Sequence, residues 1–121
     1  MERLVKKAKD YFIIAVISEK LEKFDVACSN YFKSLAAIND FILFKKGLFP
    51  KDHNERFLML RENEPLLYKI TSSLVLTYRR GYTKEIDKQE TLMLKEKIKE
   101  AFEYARISIP ENSEIEKYFK K

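Results

Sequence analysis

Apolar residues recur along most of this chain at spacings of three and four, the repeat of α-helices with a buried face. Leu4, Ala8, Tyr11, Phe12, Ala15 and Leu21 form the first such stripe and predict a helix from Glu2 to about Glu22. Ile13, Ile14, Val16 and Ile17 lie partly off it, so the stretch from Tyr11 to Ile17 is apolar nearly all round. A helix apolar on every side must be covered on every side, and in a small bundle that second cover points to another subunit. A strand over the same β-branched run would have no partner strand nearby.

The second helix is expected over Phe24 to Gly47. Val26, Ala27, Tyr31, Ser34, Leu35, Ile38 and Ile42 make its face, widened by Phe32, Ala36, Phe41 and Phe44. The first two helices cannot be one, because their joint length would be roughly 69 Å at about 1.5 Å per residue. The break belongs near Lys23–Asp25, with Asp25 a candidate cap. Lys45 and Lys46 in the last turn suit the helix dipole, and Gly47 suits a left-handed stop.

The chain has only two glycines and three prolines, and each falls where a joint is expected. Interior glycine costs roughly 1 kcal/mol and interior proline about 3 kcal/mol against alanine, so their exclusion elsewhere reinforces the helical reading. After Pro50, Asp52 and Glu55 have capping-box spacing, opening a short third helix that ends near Arg61. Asn63-Glu64-Pro65 starts a fourth, with Pro65 in the first turn and Leu66, Leu67, Ile70, Leu74 and Tyr78 on its apolar face up to Gly81. A fifth starts near Thr83 or at the second capping box, Asp87 with Glu90. Its core face is Leu94, Ile98, Ala101, Phe102 and Ala105, Lys99 and Glu103 are spaced as a surface pair, and Pro110 is the expected stop. Ser113 and Glu116 could cap a last short helix carrying Ile115, Tyr118 and Phe119. The expectation is an all-α, up-and-down bundle of about five helices plus a short C-terminal one, a single domain over residues 1–121.

Composition changes this picture little. With 45% apolar residues, 121 residues suffice for one core. The longest apolar run, Tyr11 to Ile17, is far short of the about 20 residues that span a bilayer. The charged first turn predicts no secretory leader, and one cysteine, Cys28, excludes an internal disulfide framework and fits a reducing cytoplasm. The net charge of +5 is dispersed. Lys6, Lys7 and Lys9, then Lys45 and Lys46, Arg79 and Arg80, and Lys120 and Lys121 stand among nineteen acids, which favours a solvated surface over a dedicated nucleic-acid face. The 36% charged content is also that of proteins from hot environments.

Candidate chemistry is sparse. One histidine and one cysteine, with no ligand pair at helical spacing, make no metal site, and no cofactor is implied. Cys28 lacks an activating neighbour in the sequence and reads as a packed thiol. His53, in the first turn after a proline, reads as a loop-to-helix packing residue. The polar constellation that stands out is Tyr78-Arg79-Arg80-Gly81-Tyr82. Guanidinium forks can grip a phosphate bidentately and a tyrosine can stack or donate. No acid lies between Tyr78 and Thr83, so a local positive field is expected there, although a helix C-terminus opposes an anion. The plainer alternative is a helix end with cations, a glycine cap and a packing tyrosine.

The order of these pieces resembles the HEPN family of helical bundles. Phe24-Asp25-Val26-Ala27 opens a long helix with Tyr31, Leu35 and Ala36. Then come Gly47, Pro50-Lys51-Asp52-His53, a helix ending in arginine and tyrosine, and a last alanine-bearing helix. The resemblance covers about residues 4 to 107. It implies a homodimeric bundle, often paired with a small nucleotidyltransferase in a toxin–antitoxin-like couple, and in many members a metal-independent ribonuclease. The ribonuclease motif is an arginine followed after four to six residues by a histidine. Arg79 or Arg80 would be that arginine, but the histidine positions hold Lys84, Glu85, Ile86 and Asp87. Acid–base cleavage of RNA needs a group titrating near neutrality, and none stands there. Tyr82 matches a tyrosine often found just beyond the arginine in non-nuclease relatives. The resemblance therefore implies a nucleotide- or nucleotidyltransferase-associated binding protein, with Arg79, Arg80 and Tyr82 as ligand contacts. The rival readings are a degenerate ribonuclease using Tyr82 or His53, and a purely structural dimer.

Overall fold

The chain is helical wherever its apolar pattern keeps the helical period. A computed structural model describes residues 1–119; Lys120 and Lys121, counted above among the basic residues, lie outside the described residues. The helices are α1 (Glu2–Lys20), α2 (Phe24–Lys45), α3 (His53–Asn63), α4 (Pro65–Arg80), α5 (Lys88–Ala105) and α6 (Asn112–Glu116). The architecture is an all-α bundle.

Side-chain contacts give the directions. Tyr31 Oη donates to Glu19 (2.8 Å) and Ser34 Oγ to the Ala8 carbonyl (2.7 Å), joining α1 and α2 as an antiparallel pair. Phe12 meets Phe102, and Lys9 Nζ donates to Ser108, so α5 runs back along α1. Phe32 stacks on Tyr78 and Asn39 donates to Thr71, so α4 is antiparallel to α2. These four long helices alternate in direction. The short α3 instead runs with α2, because Phe32 neighbours His53, Asp40 pairs with Arg56, and Lys46 reaches Asn63. The extended 46–52 connection carries the chain back along α2 to make this possible.

The core gathers between α1, α2 and α5. Phe12 lies edge-on to both Tyr31 and Phe102, at centroid distances of 5.6 and 5.3 Å. Leu35, Ile38, Leu43, Leu60, Leu67 and Ile98 are fully buried around them. Each such side chain contributes about 1.5–3 kcal/mol relative to exposure. All five residues expected on the α5 core face are buried. Elsewhere the buried stripes are narrower than the apolar pattern. Leu21 is exposed because α1 has already ended and Glu22 turns the chain with φ 60°. Val26 and Leu66 each occupy the first turn of a helix, on its open side, and are exposed. Within Tyr11–Ile17 the single chain already buries Phe12, Ile13, Ala15 and Val16, leaving Ile14 as the exposed member.

The caps divide similarly. Asp52 accepts from Glu55 N at 2.8 Å, Asp87 and Glu90 form a full capping box, and Gly47 takes φ 76°. Asp25 does not cap α2; Lys23 holds that position without a side-chain bond. Pro110 does not stop α5, which ends at Ala105 with Arg106 in the left-handed conformation at φ 59°. The last helix is capped by Glu111 with Glu114, earlier than the expected Ser113 and Glu116. Lys99 lies 3.6 Å from Glu96 and is not paired with Glu103. No described helix is long and apolar enough to cross a membrane.

Candidate functional site

The site is built at the end of α4, where an apolar stripe gives way to charge. Leu67, Ile70 and Leu74 bury the helix against α2, and one turn later Tyr78 stacks on Phe32 with centroids 4.6 Å apart and planes at 13°. The chain then leaves the helix in overlapping turns. Gly81 N donates to the Thr77 carbonyl, Tyr82 N to Arg79, and Thr83 N and Lys84 N to Arg80, at 2.9–3.2 Å. The last carbonyls of α4 are thus largely occupied, which weakens the negative pole that would repel an anion. Gly81 is not a left-handed cap; its φ is −58° and its ψ −18°. Space beside it is tight: a Cβ would meet the tip of the Ile86 side chain, Cδ1, at 2.8 Å and the Tyr78 carbonyl at 3.2 Å. Ile86 is in turn held by its N–H, which donates to Asp25 Oδ1 at 3.2 Å. That bond is what Asp25 does in place of capping.

The sequence-predicted residues fare differently. Arg79 is exposed, and among the described residues its side chain has no ion pair or hydrogen bond. Arg80 is ion-paired with Glu90 of the α5 capping box. The acid that the local sequence lacks therefore arrives from the next helix, and the positive field rests on Arg79 more than on Arg80. Tyr82 is 77% exposed, yet it is placed: its ring stands edge-on to Tyr78 at 5.7 Å and the two hydroxyls lie 3.3 Å apart. The Tyr78 hydroxyl pushes the Tyr82 phenol above its ordinary range, so it stays protonated near neutrality.

Beside this turn lies a cavity of about 240 Å³ lined by Asp25, Cys28, Ser29, Tyr78, Gly81, Tyr82 and Ile86. Cys28 is buried, and burial, helped by the Asp25 carboxylate and opposed by Arg80, pushes its thiol up to about 11. It is a packed thiol with no nucleophilic character at neutral pH. Asp25, Cys28, Ser29 and Phe32 all come to this site from α2, distant in sequence from Arg79, and the sequence marks Asp25 only as a candidate cap in the Phe24–Ala27 opening of that helix. Only their spacing on one side of a helix could have grouped them, and nothing in the sequence pairs that side with α4.

His53 sits at the same end of the bundle but not on the arginines. Its ring is 6.5 Å from Phe32, whose other neighbour is Tyr78. Its Nδ1 lies 2.5 Å from Arg56 Nη1, and Arg56 is itself held by Asp40 at 2.6 and 2.9 Å. A guanidinium can only donate, so Nδ1 accepts and the ring proton sits on Nε2. Where the resemblance places its histidine, Ile86 is buried and Asp87 is engaged in the cap.

A second cleft of about 410 Å³, lined by Lys95, Lys99 and the 109–112 segment, carries no aromatic stack of this kind. Its two ammonium groups lie 3.7 Å from Glu19 and 3.6 Å from Glu96. Among the described residues no group of three His, Cys, Asp or Glu side chains could hold a metal ion. No family model, curated protein or solved structure matches the chain.

Proposed function

We propose that this bundle is a HEPN-like binding protein that takes a phosphate-bearing nucleotide, free or presented by a nucleotidyltransferase partner, at the turn after α4. The observation that carries the reading is the pairing of an unengaged Arg79 with Tyr82, an exposed aromatic ring held edge-on to a stacked pair. A guanidinium supplies charge-assisted bonds to phosphate and the ring face supplies stacking for a base. Arg80, tied to Glu90, serves as a brace between α4 and α5 and as a weaker second charge. A toxin–antitoxin-like pairing and a homodimer belong to the same proposal; in a dimer the basic surface is doubled.

The test is a calorimetric nucleotide titration of the wild type, Arg79→Ala and Arg80→Ala. Binding is expected at roughly micromolar affinity or weaker, falling as ionic strength rises past about 0.15 M. Arg79→Ala should abolish it and Arg80→Ala should only weaken it. If wild type and Arg79→Ala behave alike, the arginines are no more than a helix end.

A ribonuclease reading has one point in its favour: His53 stands at the same end of the bundle, across Phe32 and Tyr78 from Tyr82. Its Nδ1 is occupied by Arg56, which leaves Nε2 as its uncommitted ring nitrogen. Incubation with single-stranded and structured RNA without metal separates the two readings. Intact RNA fits the binding protein, and cleavage lost on Arg79→Ala or His53→Ala fits the nuclease.

A further inference from the structure

The cavity beside Tyr82 is smaller than the roughly 300–1,000 Å³ of sites that enclose a whole drug-sized ligand. At about 240 Å³ it is a slot for one ring system, with the remainder of the ligand outside. Its walls are Tyr78, Tyr82 and Ile86, and its polar groups are Asp25 and Ser29. Asp25 makes the slot unsuitable for the phosphate itself, since a carboxylate and a phosphate repel at close range. Beside Asp25 an uncharged ring rich in hydrogen-bond donors fits best, while the phosphate stays outside with Arg79.

Asp25 is only half used by the fold. Its Oδ1 accepts the Ile86 N–H, while its Oδ2 and the Ser29 hydroxyl have no partner among the described residues. Asp25 is exposed at the mouth of the slot, and a carboxylate with free lone pairs there reads two adjacent N–H donors best. Among the common bases only guanine presents two such donors side by side, its N1–H and N2–H. Adenine and cytosine set a donor beside an acceptor, and uracil sets its single N–H between two carbonyls. We infer that the slot reads the base through Asp25 and that the ligand is a guanine nucleotide. This rests on the nucleotide reading of the same site and adds to it the identity of the ring.

The experiment is a titration of GMP, IMP, AMP and UMP into wild type, Asp25→Asn and Arg79→Ala, with thermal melting of each variant as a fold control. Asparagine keeps an oxygen for the Ile86 N–H but replaces an acceptor by a donor. GMP should bind the wild type about tenfold or more tightly than the other three, a ratio within the range of a good bidentate base contact. The shortfall of IMP, which lacks the 2-amino group, isolates that donor. Asp25→Asn should erase the GMP preference, so that GMP binds no more tightly than AMP or UMP. Equal binding of all four nucleotides, still lost in Arg79→Ala, overturns the base readout and leaves the nucleotide site standing. An unchanged ranking in Asp25→Asn overturns it equally. Binding of none of the four overturns both.

Discussion

Cys28 shows how a residue's chemistry is set by its neighbours. Its thiol is enclosed by α2 and the turn after α4, and burial with the nearby Asp25 raises it to about 11 from the ordinary 9.0. A group whose folded pKa is raised contributes stability that is present below the unfolded value. That contribution is lost as pH climbs through the folded one. Wild type should therefore lose stability between about pH 9 and 11, where the unfolded chain ionises first, beyond any loss in Cys28→Ser. Parallel denaturant titrations at pH 8 and 10.5 measure the difference; identical pH profiles would mean that Cys28 is not buried as described. The same enclosure predicts slow alkylation of the folded protein at pH 8. The sequence already read Cys28 as packed, but Asp25 was legible only as an acidic residue near a helix start. Its bond to Ile86 spans a contact that no local pattern encodes.

The helices themselves were largely legible, because period, proline and capping spacing all act within a few residues. Asp52 with Glu55 and Asp87 with Glu90 are capping pairs that any reader of spacing would find. Less legible were the ends shaped by tertiary contact. Arg106 adopts a left-handed conformation without glycine, so α5 stops well before Pro110. Gly81 is a helix cap by its place in the sequence, yet its constraint is space, since an added Cβ would meet the tip of the buried Ile86 side chain. Gly81→Ala should therefore destabilise the bundle by about 1–3 kcal/mol through overpacking at the α4–α5 turn. It should also weaken nucleotide binding, because Ile86 lines the slot. Chemical denaturation checks the first part. A neutral or stabilising effect, as expected for glycine to alanine at an unstrained open position, would contradict the packing described here.

For the whole molecule, the all-α class follows from the pattern, and the alternation of α1, α2, α4 and α5 follows from their lengths and joints. The course of α3 does not. It runs with α2 because of the Arg56–Asp40 ion pair and the Phe32–His53 contact, both long-range. The case for a dimer is also altered by packing. The apolar run in α1 is mostly covered by its own chain, so the need for a partner narrows to Ile14, which is 46% exposed. If that face is an interface, sedimentation at micromolar concentration should show a dimer. Ile14→Glu should weaken it by burying an unpaired charge, and a monomeric wild type at high concentration would remove the interface. The candidate site was half legible: Arg79, Arg80 and Tyr82 stand together in sequence, whereas the slot beside them needed α2 brought against α4. The most direct test of the binding claim is the footprint of a guanine nucleotide on the amide spectrum of the labelled protein. Saturable shifts confined to Asp25–Ser29 and Tyr78–Asp87, and absent in Arg79→Ala, are expected. Shifts clustered instead around Lys95, Lys99 and Asn112, or none at saturating ligand, would contradict it.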